Sequence, residues 1–188
     1  MLFRSLLGAT FPEIRAVVAY VPSGVAWEGL GREMSPDTKP AWTIGGRPVP
    51  FVKANRDPAP WIKSPVALTP GFHKALEGTR DPTTEIAVEK INGPVLMFSG
   101  SDDQMWPSLT LADIATQRLI RTNFAHRFEH ITYAGAGHFI RFPYSPTITE
   151  IFHPVVRTMM ALGGDPLANA AADRDSWRRV LEFLASAL

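Results

Sequence analysis

Two short stretches of this sequence carry residue types that could do chemistry together. The first, Gly100-Ser101-Asp102-Asp103-Gln104-Met105-Trp106-Pro107, brings two acids to the end of an apolar run. The second, Tyr133-Ala134-Gly135-Ala136-Gly137-His138, delivers a histidine from a small-residue turn, 35 residues after Asp103. An acid followed by a histidine, each at the end of an expected strand, is the orienter-and-base half of a catalytic triad. The carboxylate would fix the tautomer and direction of the imidazole, which then accepts the proton of a nucleophile. Each residue alone has a plainer explanation. Aspartate commonly hydrogen-bonds its own turn, and a lone histidine is more often structural. The pair, in this order and at strand ends, favours the triad. Asp103 is preferred over Asp102 because it lies three residues after Gly100 and four before Pro107.

The nucleophile is harder to find. In an α/β-hydrolase arrangement it precedes the acid and sits on a sharp G-x-S-x-G turn, and this sequence contains no such motif. Ser5 lies in an expected helix, Ser23 lacks the glycine two residues before it, and Ser99 and Ser101 belong to the acid turn. Cysteine is absent, which also excludes disulfides and thiolate metal sites. The nucleophile is therefore expected to be missing from this chain. Among the remaining histidines, His126 and His130 share a strand face by spacing, but no third ligand accompanies them, so no metal site is expected. His73 and His153 are expected to be solvated. Trp106 is expected to pack at the edge of the site. With Phe142 and Tyr144, which follow His138, it is a candidate for substrate contact, although ordinary packing explains the latter two equally well. Trp27, Trp42 and Trp61 could cover an apolar substrate or simply pack a lid.

The elements that must position these residues follow from apolar patterning. Residues 15–24 (RAVVAYVPSG) and 93–103 (GPVLMFSGSDD) are continuous apolar runs closed by turns, as expected for strands buried on both faces of a parallel sheet. Residues 126–138 give a third strand. Between the last two, residues 108–123 read as a helix capped by Ser108, with Leu111, Ile114, Ala115 and Leu119 on one face. Strand, helix, strand implies a parallel crossover and an α/β class. A C-terminal amphipathic helix is expected from an Asp175 cap, with Trp177, Val180, Leu181, Leu184 and Leu188 as its buried stripe.

The composition, 188 residues with 45% hydrophobic and 20% charged, suits one domain or a large piece of one. A formal net charge of +1 with no basic run argues against a nucleic-acid partner. No apolar run approaches the roughly 20 residues needed to span a bilayer, and a cytoplasmic location is expected. Prolines crowd residues 34–70, and residues 31–85 are assigned to a lid or insertion within a single, partial domain over 1–188.

Five blocks in order, FPEIRAVVAYVPSGVAWEG, VEKINGPVLMFSGSDDQMWPS, HRFEHITYAGAGH, FPYSPT and GGDPLANAAADRDSWRRVLEFL, resemble the C-terminal catalytic domain of the acyl-CoA thioesterase and bile acid-CoA:amino acid N-acyltransferase family. That is an α/β-hydrolase domain similar to dienelactone hydrolase, with a mostly parallel sheet of eight strands. The resemblance runs from about Phe11 to the end. It implies acyl transfer from a small-molecule CoA thioester to water or an amino acid, through an acyl-enzyme on Ser or Cys, with Asp103 and His138 as triad acid and base. It implies no cofactor. It also implies that the chain begins within the helix behind the nucleophile and is N-terminally truncated. A domain truncated there is expected to self-associate, as a homodimer with a continuous sheet. The alternatives are an inactive domain that only associates or binds acyl groups, and a subunit whose partner supplies the nucleophile.

Overall fold

The structure, a computed structural model, describes residues 2–29, 39–53, 63–78, 81–154 and 157–187. Its elements in chain order are helix α1 (Leu2–Thr10), strand β1 (Val17–Tyr20), a small hairpin of β2 (Thr43–Ile44) and β3 (Arg47–Pro48), and helix α2 (Thr69–Gly78). Two 3-10 turns, Pro82–Thr84 and Val88–Lys90, lead to β4 (Val95–Gly100), α3 (Ser108–Arg121) and β5 (Phe128–Tyr133). A second hairpin, β6 (Glu150–His153) and β7 (Thr158–Ala161), then precedes α4 (Pro166–Ala187).

The three strands expected from apolar runs form one parallel sheet in the order β1-β4-β5. Val17 pairs with Val95 across the first ladder, and Val95 with Phe128 across the second. All six residues of the central strand β4 are buried. Side chains alternate across a strand, so its two halves serve different layers. Val95 and Met97 join Val17, Ala19, Leu111, Ala115 and Leu119 beneath α3. Leu96 and Phe98 join Ala172, Val180 and Phe183 beneath α4. With helices over both faces of a parallel sheet, the class is α/β, and the crossover through α3 is as expected. Fully burying one such Leu, Met or Phe contributes about 1.5–3 kcal/mol. The layer under α3 contains three side chains of that kind at 0–1% exposure: Leu111, Leu119 and Met97.

Three local expectations are corrected. Ser108 does not cap α3; Pro107 occupies that position, and the Ser108 hydroxyl is buried, donating to the Gly100 carbonyl at 3.5 Å. The cap of helix α4 lies ten residues before Asp175. Asp165 Oδ1 accepts from the backbone N–H groups of Leu167 and Ala168 at 2.9 and 3.2 Å, and Pro166 fills the first helical position, where its missing N–H costs nothing. Asp175 lies instead in mid-helix, paired with Arg178 and Arg179. The buried stripe runs through Ala172, Val180 and Phe183, while Trp177 and Leu181 are 40% and 52% exposed. Leu184 packs against this layer and Leu188 lies outside the described residues. His153, on β6, is half-buried with its Nδ1 shielded from solvent rather than solvated.

Trp27 is buried against Phe72, and Trp42 packs on the same core. Trp61 and much of the segment 31–85 lie outside the described residues. Among the described residues, no helix is long and apolar enough to cross a membrane.

Candidate active site

The carboxyl ends of β4 and β5 meet. A Cβ on Gly100 would stand 2.2 Å from the Ala136 carbonyl oxygen and 2.5 Å from that of Gly137, so only glycine lets the acid loop and the histidine loop touch here. Ser101 tightens the contact by accepting the Gly135 N–H at 2.9 Å. The end of the β6–β7 hairpin enters between the two loops. Asp103 forms an isolated antiparallel bridge with Gly163, and the Leu162 carbonyl accepts the His138 N–H at 2.8 Å.

The result is contact between Asp103 and His138. The imidazole Nδ1 lies 3.1 Å from Asp103 Oδ1 and 3.0 Å from Oδ2. Oδ1 also accepts the backbone N–H groups of Met105 and Trp106, both at 3.1 Å. A carboxylate accepts only, so Nδ1 is the donor, and in the neutral ring Nε2 is left as the acceptor. Exposure separates the two groups: the Asp103 side chain is 1% exposed and that of His138 13%. The acid is sealed, while the ring retains a route outward. Asp102 takes a different part. It accepts the Gly164 N–H at 2.9 Å and the Gln104 amide at 3.2 Å, which is turn chemistry of the kind either acid could have served.

The Trp106 ring stands 5.7 Å from the His138 ring at 79°, and Phe139 lies 5.9 Å away on the histidine's own loop. Phe72 and Trp27 continue the aromatic packing beyond Trp106. The Trp106 indole N–H is buried and has no hydrogen-bond partner among the described residues. Phe142 is exposed against the Trp177 ring, at 6.5 Å, and Tyr144 is fully exposed. Neither is in ring contact with His138.

The serines considered as nucleophiles are accounted for elsewhere. Ser5 is buried in α1. Ser23 Oγ is buried and binds the Val25 backbone and the Trp27 indole N–H. Ser99 is fully buried against His130 and Thr132. Among the described residues, no hydroxyl is hydrogen-bonded to His138, and no group of three or more His, Asp or Glu is placed to hold a metal ion. His126 is exposed beside Phe124, apart from the half-buried His130. A cleft of about 600 Å³ between α2 and α3 is lined by His73, Leu76, Asp113 and Ile114, and includes neither Asp103 nor His138.

Sequence reasoning missed the contribution of the segment between β7 and α4. Its Leu162 and Gly163 hold the two loops through backbone atoms, which no side-chain pattern announces. The one available signal was Gly163-Gly164, paired glycines that here have φ of +74° and +83°.

Comparison with known proteins gives the ancestry of this arrangement. The chain is 34% identical over 109 residues to a mouse peroxisomal succinyl-coenzyme A thioesterase, covering 58% of this chain and 25% of that protein. It is 38% identical over 98 residues to mouse acyl-coenzyme A amino acid N-acyltransferase 1 (52% and 23%). It is 31% identical over 139 residues to human acyl-coenzyme A thioesterase 1 (73% and 32%). The matches thus span a quarter to a third of these relatives' length. Residues 3–188 match the family described as BAAT / Acyl-CoA thioester hydrolase C terminal, and the chain belongs to that family.

Proposed function

We propose that this chain carries the acid–base half of an acyl-CoA thioester-cleaving site in an α/β-hydrolase domain. The carrying observation is the Asp103–His138 contact at 3.0 Å, with the acid sealed and the ring partly open. In the reading it supports, Asp103 holds Nδ1–H, and Nε2 takes the proton of the attacking group and returns it to the leaving thiolate. The strand order β1-β4-β5, with the acid after β4 and the histidine after β5, supports the hydrolase assignment. Relatives named as thioesterases and as an amino acid N-acyltransferase support an acyl-CoA substrate. Trp106 is the residue best placed to border a bound acyl group, because its ring meets that of His138.

A second reading concerns the nucleophile and is favoured by one observation: no described hydroxyl is hydrogen-bonded to His138. In it, the nucleophile belongs to a partner outside this chain, so the Asp103–His138 pair releases no CoA until that partner is supplied. A dimer joined along the β1 edge of the sheet belongs with this reading, since edge strands invite pairing; a monomer by light scattering would remove it. The deciding experiment measures CoA release from an acyl-CoA by the 188-residue chain and by His138→Ala at equal concentration. Release lost in the variant supports the first reading. Release that survives His138→Ala contradicts it. Silence from both supports the second.

A further inference from the structure

We propose that Asn169 and Asp173, one turn apart on α4, are positioning residues that set the His138 ring by gripping the backbone on either side of it. Asn169 Oδ1 accepts the Gly137 N–H at 2.8 Å, and Asp173 Oδ1 accepts the Arg141 N–H at 2.5 Å. Residues four apart lie on the same helix face, and this pair is buried, at 1% and 4% exposure. With the His138 N–H held by Leu162, the amides at positions 137, 138 and 141 are all anchored. The fit leaves no slack: a Cβ on Gly164 would lie 2.3 Å from Asn169 Oδ1 and 2.4 Å from the Gly137 nitrogen.

The surrounding face of α4 packs through Ala172, Val180 and Phe183, so adhesion to the sheet does not require polar groups here. Buried polar groups are costly unless hydrogen-bonded, and burial does push the Asp173 carboxyl above its ordinary range. What the two side chains supply is direction. The Nδ1 contact to Asp103 depends on where the ring sits, and a misplacement of about 1 Å can cost 10²-fold in catalysis. The inference rests on the reading of Asp103 and His138 as the working pair, but its readout needs no turnover, so the two stand or fail separately.

The test uses the ¹⁵N-labelled 188-residue chain. It records the His138 ring nitrogen resonances and the exchange rates of the Gly137 and Arg141 amides. Asn169→Ala and Asp173→Ala remove the acceptors, and Asp173→Asn keeps one. Val180→Ala loosens the same helix without touching the histidine loop. We expect protection to fall about fivefold at Gly137 in Asn169→Ala and at Arg141 in Asp173→Ala, the loss of one hydrogen bond. The His138 ring resonances should shift in both, return to wild type in Asp173→Asn, and stay in place in Val180→Ala. Unmoved ring resonances in both alanine variants overturn the proposal, as does an equal shift in Val180→Ala. If alanine at 169 prevents folding, Asn169→Ser, too short to reach Gly137, is read in its place.

Discussion

His130 and His138 lie on one strand and the turn that follows it, eight residues apart, and each ring holds a side chain from β4 or the loop beyond. His130 Nε2 meets Ser99 Oγ at 2.7 Å, with Thr132 Oγ1 3.2 Å from the same hydroxyl. Judged by distance alone, this is the better serine–histidine pair. It sits in mid-sheet, however, where Ser99 is 0% exposed and no substrate can approach. Burial holds the His130 ring below its usual range, favouring the neutral form. His138 has no serine but has a sealed carboxylate behind it, a partly open ring and the carboxyl end of a parallel sheet around it. On the proposed reading, position along the strand, more than hydrogen-bond length, distinguishes the two histidines.

Exchanging the two histidines should break the symmetry most sharply. His138→Gln is expected to lower any CoA release by the chain about 10⁴-fold, the upper range for a lost general base. His130→Gln should leave release within about twofold. Comparable losses in the two would dissolve the distinction. Asp103→Asn comes next, at about 10³-fold, because an amide can hold the imidazole in the wrong tautomer. Asp102→Asn, which leaves the His138 contact intact, serves as its matched control and should change the rate less than twofold.

On the structural side, Ser99→Ala strips a buried ring nitrogen of its partner. A chemical-denaturation midpoint should report about 1–3 kcal/mol of lost stability, with turnover unaffected. The smallest effect is pH-dependent. The His130 ring meets the Ser99 hydroxyl, and the charge of Asp113 opposes the effect of its burial without overcoming it. Its folded-state value is therefore below the unfolded value, near 6.5. The neutral ring's stability is fully present above that pH and declines as pH falls through the folded value. Thermal melts from pH 7.5 to 5 should flatten in His130→Asn. A slope unchanged in that variant would place the sensitivity elsewhere.

Much of the site was legible because its signals are local. Val95–Phe98 is apolar throughout and closes on Ser99-Gly100, and Phe128–Tyr133 leads into a small-residue turn, so strand ends and the residues after them could be read directly. The choice of Asp103 over Asp102 followed from its place in the turn, and Asp103 is the acid that touches His138. The start of α4 was not legible from its apolar stripe. Asp175 has the chemistry of a cap, but Asp165 followed by Pro166 is the stronger signal, and the helix extends back to it. Trp177 and Leu181, read into the buried stripe because they are apolar, are 40% and 52% exposed. Asn169 and Asp173 were invisible for a related reason. They look like the polar face of a surface helix, and only the tertiary fold turns them toward the histidine loop.

The most direct test of the account is the tautomer of His138, read from long-range ¹H–¹⁵N correlations of the imidazole rings in the wild-type chain and in Asp103→Asn. The account predicts a proton on Nδ1 and a bare Nε2 in the wild type, with that preference lost in the variant. A wild-type ring protonated at Nε2, or one indifferent to Asp103→Asn, would contradict it.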